Sequence, residues 1–588
     1  MVFGKHINKY YLKYGWILLI GIIALIAVDI YQLKIPEIYG SIVDGLDPTT
    51  PAVITIDLLK DLCKEMLLIV FVLVVGRFLW RICFFGSAIR VETKIRNEMF
   101  DHCKDLSQNF YQNNKVGNLM SLFTNDLDTI NECFGDGILM FFDAVGLGSL
   151  AIVKMFRLSV SLTLLSLIPM ILMGIISFIV GKYMMKKWEL RQEAFSELSD
   201  FAQESFSGVA VIRSFVKELK ELMAFNKINK KNENANVEFT KASTLLNIFV
   251  TLFVEAVVCV ILGVGGYYVY KGNGTFNSAV LIKFLSYFNS VIWPIMAVSR
   301  LIEMSSRGKA SLKRISNLLD SKIDVVDSKN VRHDILDIKG EIEFKNLTFR
   351  YPGSDYDALK NISFKVNAGE NIGIIGRTGC GKTTLVDLIL RTYNVADETI
   401  FIDGVDINKI PIKTIRKFAS YVPQDNFLFS DSIEKNIAFS LDQKVSHEKV
   451  VEVSKLADLD HNIEDFQDGY ETVLGERGVT ISGGQKQRTS IARALIKDAS
   501  ILILDDAVSA VDTKTERTIL NNLKATRKGK TTILIAHRIS TIENMDKVLF
   551  IDDGQVVAYG THKELYFTCA EYKKMVDLQK LEDEVGGE

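Results

Sequence analysis

The chain has 588 residues, which is too long for a single hydrophobic core, so two or more domains are expected. Its formal net charge of −2 gives no electrostatic reason to expect a nucleic-acid partner. No C-x-x-C pair occurs, which argues against a disulfide framework and a zinc site, and the seven cysteines are scattered at positions 63, 83, 103, 133, 259, 380 and 569.

Long apolar segments fill the first half of the chain. A membrane-spanning helix needs roughly 20 mostly apolar residues. Residues 138–180 form one apolar stretch of about twice that length, so we predict two spans joined by a tight turn near residues 155–161. A single segment could be a buried helix of a soluble protein, but six together predict an all-α polytopic membrane domain. The other four spans are predicted at residues 16–33, 66–85, 245–269 and 276–298, with residues 272–274 as the turn before the last.

The distribution of basic residues predicts the orientation in the membrane. Lysines and arginines precede the first span and follow the second, fourth and sixth spans, whereas the segment between the first two spans is acidic. We expect the protein to cross the cytoplasmic membrane. The positive-inside rule then predicts that both termini and the second domain lie on the cytoplasmic side. A cleaved signal peptide is the alternative for the first segment, but its removal would leave an odd number of spans. That outer segment contains Glu37, Asp44, Asp47 and Asp57.

Two long polar segments, residues 91–133 and 182–241, are poor in glycine and proline. We expect them to continue the membrane helices into the cytosol as two hairpins. The tip of such a hairpin can touch another domain, and residues 113–117 and 207–209 are the predicted tips. Solvated connectors are the alternative interpretation.

Ionisable residues inside the spans are costly, and they are usually functional or paired. Asp143, Glu255 and Lys283 lie inside predicted spans. A role in a substrate pathway and polar pairing between helices both remain open for Asp143 and Glu255. Asp29 and Lys154 lie nearer to span ends, where snorkelling explains them.

The second half has the composition of a soluble α/β domain. The membrane domain is predicted at residues 1–320, a polar connector at 321–340, and the second domain at 341–588, beginning with a strand at 341–344.

A phosphate-binding loop follows an apolar strand at residues 372–375 and precedes a helix at 384–390. Its glycines let successive N–H groups face a phosphate chain. Lys382 is assigned to the β- and γ-phosphates and the Thr383 hydroxyl to Mg²⁺. Cys380 is interpreted as a small filler residue, since a redox role would need a perturbed thiol. The assigned nucleotide-binding residues here are Gly376, Arg377, Thr378, Gly379, Cys380, Gly381, Lys382, Thr383 and Thr384.

Three further positions fit the same chemistry. Tyr351, ahead of the loop, can stack on a base. A strand at residues 501–504 ends in two carboxylates, of which Asp505 is placed for Mg²⁺ and Asp506 to polarise the attacking water. His537, at the end of an apolar strand that starts at residue 531, can donate to a γ-phosphate.

Residues 481–485 form a second phosphate cradle at the start of a helix predicted at 486–495. Two cradles with a single lysine-bearing loop suggest that the second cradle serves a partner's nucleotide. The cradle residues are Ser482, Gly483, Gly484 and Gln485.

With these motifs in place, the chain resembles an ATP-binding-cassette (ABC) exporter half-transporter over nearly its whole length. The resemblance implies six transmembrane helices followed by an α/β P-loop ATPase domain with a helical subdomain. It adds Gln424 as a catalytic and Mg²⁺-linked residue, the motif at 475–478 and a D-loop at 509–512. It also implies head-to-tail dimers, in which Mg²⁺ and ATP lie between the phosphate-binding loop of one chain and the second cradle of the other, which the family calls the signature. The cytosolic hairpins are then expected to carry motion between the ATPase and membrane domains.

One position departs from the family pattern: Asp506 stands where the family normally has the general-base Glu. The shorter side chain predicts weak hydrolysis at this chain's own site and favours a heterodimer with a second half-transporter. A homodimer in which Asp506 does the work of Glu is the alternative. The predicted function is export of small amphipathic compounds, multidrug or lipid-like. An ATP-gated regulator or channel without net pumping is the competing function.

Overall fold

The structure is a computed structural model that describes residues 3–46, 55–271, 276–475, 478 and 480–585. The predicted turn at 272–274, the outer Asp47 and the motif residues Glu476 and Arg477 lie outside the described residues. The chain divides into two compact units. One unit comprises Met1–Lys104 and Val116–Ser321, and the other comprises Asp105–Lys115 and Lys322–Glu588.

The first unit is built from long helices. Within the described residues, six helical segments are long and apolar enough to cross a membrane, by length and composition, as predicted. The helices are α1 (Lys5–Lys13), α2 (Gly15–Gln32), α3 (Ile35–Leu46), α4 (Ile56–Asp105), α6 (Val116–Ser121), α7 (Leu127–Leu158), α8 (Val160–Ser207), α9 (Val209–Ser214), α10 (Glu218–Tyr270) and α11 (Ser278–Leu319), while α5 (Gln108–Asn113) belongs to the second unit.

Two breaks in the membrane helices have local causes. The predicted tight turn lies between α7 and α8, where the Ser159 hydroxyl caps α8 by accepting from Leu162 N at 3.3 Å. The first span is interrupted between α2 and α3. Pro36 has no N–H to donate to the carbonyl of Gln32, so one helical hydrogen bond is missing at this break.

The two polar segments are helical. α4 continues past the predicted second span to Asp105, and α8 and α10 bracket a short turn that contains α9. Residues Asp105–Lys115, which include part of the first predicted tip, belong to the same compact unit as the second domain.

The second unit contains two sheets. The four-stranded sheet is antiparallel with the order β2-β1-β4-β5, and the six-stranded sheet has the order β10-β9-β3-β8-β7-β6. In the larger sheet β3, β6, β7, β8 and β9 are parallel, so the carboxyl ends of β3, β7 and β8 meet at one edge. The strands are β1 (Ile342–Phe349), β2 (Leu359–Val366), β3 (Asn371–Ile375), β4 (Ile400–Ile402), β5 (Val405–Asp406), β6 (Ala419–Val422), β7 (Ile501–Asp505), β8 (Thr531–Ile535), β9 (Lys547–Asp552) and β10 (Gln555–Gly560).

Both helices predicted in this unit begin earlier than expected. α12 spans Lys382–Ile389, where a helix at residues 384–390 was predicted. α17 begins at Gly483, three residues before the predicted start, so both signature glycines lie in its first turn. The helices are α12 (Lys382–Ile389), α13 (Ile412–Phe418), α14 (Ile433–Ala438), α15 (His447–Leu456), α16 (Asp460–Ile463), α17 (Gly483–Leu495), α18 (Thr513–Thr526), α19 (Ile539–Ile542), α20 (His562–Thr568) and α21 (Ala570–Val585).

The polar connector packs onto the second unit. The carbonyl of Asp324 accepts from Asn394 Nδ2 at 2.7 Å, and Asp327 Oδ1 accepts from the backbone N of Ile412 at 2.9 Å. Ile338 is fully buried. Most of the connector is therefore anchored to the domain that it precedes.

Candidate functional site

The phosphate-binding loop runs from the end of β3 to the start of α12. Gly379 and Gly381 have φ values of +82° and +99°, a conformation that favours glycine. A Cβ at Gly376 would lie 2.0 Å from the carbonyl oxygen of Ile551 on β9. The glycine pattern found in the sequence is therefore required by the turn and by the close approach of β9.

Lys382 is folded into this loop. Its side chain is buried, and its Nζ donates to the carbonyls of Gly376 at 2.8 Å and Arg377 at 3.0 Å. These bonds hold a positive charge inside the curve of the loop, next to the N-terminus of α12. Together with the helix dipole, this arrangement fits a phosphate chain.

Cys380 is a buried residue of the same loop. Burial raises the pKa of its thiol. A raised pKa keeps the thiol protonated and unreactive, in agreement with its interpretation as a filler residue.

The acidic pair lies at the carboxyl end of β7. Asp505 is 1% exposed, and its Oδ2 makes no hydrogen bond to any residue that the structure describes. Burial raises the pKa of this carboxyl and the charge of Asp506 adds to the effect, whereas the nearby Thr383 hydroxyl opposes it. A buried carboxylate oxygen without a donor, beside a threonine hydroxyl, fits Mg²⁺.

Asp506 has a left-handed backbone, with φ +50°. Its backbone N donates to the carbonyl of Ile535 at 3.0 Å, and its carbonyl accepts from Gln487 Nε2 at 2.9 Å. Aspartate adopts this conformation more readily than longer side chains do. The position of the backbone is thus fixed from β8 and from α17, while the reach of the carboxylate is set by its single methylene.

Tyr351 stands beside the loop helix. Its hydroxyl is 2.8 Å from Thr384 Oγ1, and its ring packs edge-on against Phe349 and Tyr393, each with ring centroids 5.1 Å apart. The half-buried ring is therefore held in place at one side of the site, as a base-stacking residue requires.

His537 is exposed just beyond β8. Its carbonyl accepts from Gln579 Nε2 at 2.7 Å, and Gln579 Oε1 accepts from the backbone N of Ile539 at 2.8 Å. One glutamine from α21 therefore fixes the backbone on both sides of Arg538.

One cleft unites most of the predicted residues. It is lined by Tyr351, Thr378, Gly379, Gly381, Lys382, Thr383, Thr384, Gln424, Asp505 and His537.

The cleft also contains residues that sequence reasoning missed. Tyr356, Asp357 and Asp553 line it. The Asp553–Gly554 dipeptide forms the β9–β10 turn with positive φ at both residues, so the hairpin signal Asp-Gly could have located it. The loop helix α12 itself carries Asp387, whose pKa is raised to about 6 by burial and by the charge of Asp505.

The signature residues lie elsewhere. Ser482 caps α17: its Oγ accepts from Gln485 N at 3.2 Å, and its N donates to Gln485 Oε1 at 2.9 Å. Gln487 Oε1 accepts from the backbone N of Ala510, which ties α17 to the predicted D-loop. None of Ser482, Gly483, Gly484 and Gln485, all within the described part of the chain, lines the cleft of the chain's own loop.

Comparison with known proteins identifies the two units. A family model described as ABC transporter transmembrane region matches residues 18–295, and one described as ABC transporter matches residues 359–509. The chain is 35% identical over 581 residues to the "Probable multidrug resistance ABC transporter ATP-binding/permease protein YheI" of Bacillus subtilis (strain 168), covering 98% of this chain and 97% of the relative. The chain belongs to the ABC exporter family.

Other relatives agree. The exporter is 32% identical over 576 residues to the "Multidrug resistance-like ATP-binding protein MdlA" of Escherichia coli (strain K12), covering 98% of this chain and 96% of the relative. It is 32% identical over 501 residues to an "ATP-dependent lipid A-core flippase" of Syntrophus aciditrophicus (strain SB), covering 85% and 82%. A solved structure of a bacterial Atm1-family ABC exporter with ATP bound matches with a TM-score of 0.78 and 25% identity, covering 98% of this chain and all of that one.

Membership establishes the general activity. The protein is a multi-pass, ATP-driven transporter of the multidrug and lipid exporter family, with a helical membrane domain followed by an ABC ATPase domain. ABC ATPase domains bind ATP, typically with Mg²⁺, and ABC exporters work as dimers in a lipid bilayer.

Proposed function

We propose that this chain is one half of a heterodimeric exporter of small amphipathic compounds, and that its own ATP site hydrolyses slowly. The observation that carries the proposal is Asp506 at the general-base position. Its backbone is fixed from two sides, so the missing methylene is not recovered by a shift of the chain. A displacement of about 1 Å in a catalytic group can cost about 10²-fold in rate.

Binding at this site does not depend on Asp506. Lys382 and the loop N–H groups would hold the phosphates, Thr383, Gln424 and Asp505 would hold Mg²⁺, and Tyr351 would stack on the base. The metal would supply charge neutralisation between the phosphates. His537 and Asp506 then govern the rate of hydrolysis. The site is therefore a holding site for nucleotide.

The signature supports a partner subunit. Ser482 is exposed at the N-terminus of a 13-residue helix and lies outside the chain's own cleft. An exposed helix N-terminus binds anions. In the dimer it faces the partner's nucleotide, where a partner carrying Glu hydrolyses quickly.

The second cytosolic tip points to the same partner. Phe215 and Val216, at the turn after α9, are 68% and 79% exposed, and Phe206 at the end of α8 is 77% exposed. Large apolar side chains at the tip of a cytosolic hairpin need a covering surface. The partner's ATPase domain provides it and receives the motion of the hairpin.

The substrate class and orientation rest on the relatives and on charge. The printed names of the relatives include multidrug resistance and lipid flippase functions, which favours amphipathic cargo. Both termini and the ATPase domain lie in the cytoplasm, on the side rich in lysine and arginine.

ATPase activity of the chain purified alone tests the heterodimer. We expect turnover close to that of Lys382→Ala, with full activity restored by co-expression with a second half-transporter that has Glu at the acidic position. Turnover of the isolated chain at the rate of the assembled pair would overturn the proposal.

Transport is tested in inside-out vesicles. We expect ATP-dependent accumulation of an amphipathic dye above its external concentration. Equilibration without accumulation would instead establish an ATP-gated channel or regulator.

A further inference from the structure

Two carboxyl groups meet inside the membrane unit. Asp29 on α2 and Asp143 on α7 lie within hydrogen-bonding reach of each other. Asp29 is only 2% exposed, and its Oδ2 has no hydrogen-bond donor among the described residues. The prediction that Asp29 snorkels is therefore wrong: its side chain packs inward between helices instead of reaching the interface.

The backbone of α7 makes room for this carboxyl. A Cβ at Gly146, one turn after Asp143, would lie 2.9 Å from Asp29 Oδ2. Glycine at this position lets the Asp29 carboxyl press against α7 beside Asp143. The close approach is built into the helix contact.

The other side of the pair is accessible. Asp143 is half-buried, and its Oδ2 accepts from Trp293 Nε1 on α11 at 2.6 Å. The Trp293 side chain is 44% exposed. A carboxylate beside an exposed indole ring is the combination that attracts organic cations, through charge and through the face of the ring.

The charges of the cluster do not balance. Arg77 on α4 acts electrostatically on Asp143, but its Nη2 donates to Gln32 Oε1 at 3.1 Å, and it makes no ion pair with either carboxylate in the described structure. Two carboxyls face one guanidinium. In an apolar surrounding the remaining negative charge needs a proton or a cation.

We propose that Asp29, Asp143 and Trp293 form a subsite of the transport pathway that binds the positively charged group of a lipophilic cation. Without substrate, Asp29 and Asp143 share one proton in an O–H···O bond. The arriving ammonium group binds Asp143 and the Trp293 ring, the shared O–H bond breaks, and the proton passes to water. The charge of the site is then unchanged. This inference names the substrate class of the proposed export function and rests on it.

If Asp143 serves only as a polar contact between helices, a different result is expected. An asparagine at position 143 still offers an oxygen to Trp293 Nε1, so it preserves the contact and removes only the charge. The variant Asp143→Asn therefore separates a structural role from recognition of a cation.

The test uses two dansyl amides of the same shape, one ending in trimethylammonium and the other in the uncharged tert-butyl group. Substrate-stimulated ATPase activity and vesicle accumulation are measured for each with the assembled transporter. We expect Asp143→Asn to raise the half-saturating concentration of the cation by about 10-fold or more, the loss typical of a contact to a charged group, and to change that of the uncharged compound less than about twofold. Asp29→Asn is also expected to raise the half-saturating concentration of the cation.

Glu255→Gln is the matched control, since it removes an exposed carboxylate from another membrane helix, α10. This variant is expected to leave the preference for the cationic over the uncharged dansyl amide unchanged. Proton release on binding, followed with a pH indicator in weak buffer, gives a second readout. We expect about one proton for each cation bound and none with Asp143→Asn.

The outcomes separate the two proposals. Equal shifts for both compounds, or no shift for the cation, overturn the subsite. Export of the uncharged compound but not of the cation by the unmodified transporter overturns the subsite and leaves export intact. Transport of neither compound refutes export of such amphiphiles and the subsite with it.

Discussion

Two pairs of acidic residues lie in different parts of this exporter, and they differ in how they are fixed. Asp505 ends a strand of the ATPase domain and Asp506 directly follows it, whereas Asp29 and Asp143 come from separate membrane helices. Each pair contains one almost fully buried aspartate with an Oδ2 that lacks a donor among the described residues. In the first pair neighbouring residues along one strand bring the carboxyls together. In the second, only helix packing does so.

The comparison shows that the charge of a buried carboxylate must be balanced by a bound cation, a proton or a neighbouring positive side chain. At the end of β7 the sheet edge, Lys382 and Thr383 surround the carboxylate with groups that bind nucleotide and metal. Between α2 and α7 the carboxyls instead lie beside Gly146, Trp293 and the charge of Arg77. The first pair therefore fits a divalent cation and the second fits an organic one.

The largest effect is expected from Asp505→Asn. Loss of the carboxylate that faces Thr383 should weaken ATP binding in the presence of Mg²⁺ by at least about 100-fold, since even changes behind metal ligands cost about 10–100-fold. Binding in EDTA should change little. Titration with a fluorescent ATP analogue measures both. Asp553→Asn, at the rim of the same cleft, is the control, and an equal loss with and without Mg²⁺ would contradict the metal role of Asp505.

The next effect concerns Asp506→Glu in the assembled pair. Restoring the methylene should raise hydrolysis at this chain's site by about 10- to 100-fold. The partner's loop lysine is changed to alanine so that only this site is counted. Glutamate is less suited to the left-handed backbone at position 506, so a small loss of thermal stability should accompany the gain. An unchanged rate would show that Asp506 does not limit hydrolysis.

Gly146→Ala tests the close approach of Asp29 and Asp143 in the membrane unit. The added Cβ meets Asp29 Oδ2 and forces the two carboxyls apart, without removing a charge. The preference for the cationic over the uncharged dansyl amide should fall by about two- to tenfold, the range for one weakened hydrogen bond. In Gly174→Ala, on α8, the added Cβ meets no atom within 4 Å, so this variant should keep the preference. Loss of preference in both variants would count against the subsite.

The smallest effect concerns stability near Asp505. The pKa of Asp387 is raised from 3.8 to about 6, first by burial and then by the charge of Asp505. The folded protein therefore binds more protons than the unfolded chain between these values, and its stability falls as the pH rises through about 4 to 6. Above that pH window the buried Asp387 carboxyl is charged, and its charge continues to lower the stability of the folded protein.

Asp387→Asn removes this cost. The nucleotide-free variant should melt about 2–4 °C higher at pH 7.5, and its Tm should depend less on pH between 4 and 6. Differential scanning fluorimetry measures both. Asp397→Asn, an exposed carboxylate of the same domain, serves as the control. An equal pH dependence with and without Asp387 would show that another group is responsible.

Much of the ATPase site could be predicted because its signals are local. Gly376, Gly379 and Gly381 are required by a turn that the sequence pattern itself specifies, and Asp505 and His537 follow apolar strands whose carboxyl ends must share an edge. The capping box of Ser482 and Gln485 was also present in the sequence, and it marks the true start of α17 three residues before the predicted one.

Other features depended on contacts between distant segments. The connector packs on the ATPase domain through Asp324 and Asp327, whose partners lie about 70 to 85 residues away in the chain. Polarity alone predicted a connector at residues 321–340 but not where it packs, because a side chain's partner cannot be recognised from its own neighbours.

The sequence by itself determined six apolar helices, a phosphate-binding loop and two carboxylates at the end of a strand, because helix length, strand alternation and turn chemistry are properties of neighbouring residues. Tertiary structure alone decided that Asp29 turns inward against Gly146 and faces Asp143, and that Asp506 is fixed from β8 and α17. Which helices touch, and at which turn, depends on how whole side-chain surfaces fit together, and that choice is made only when the chain has folded.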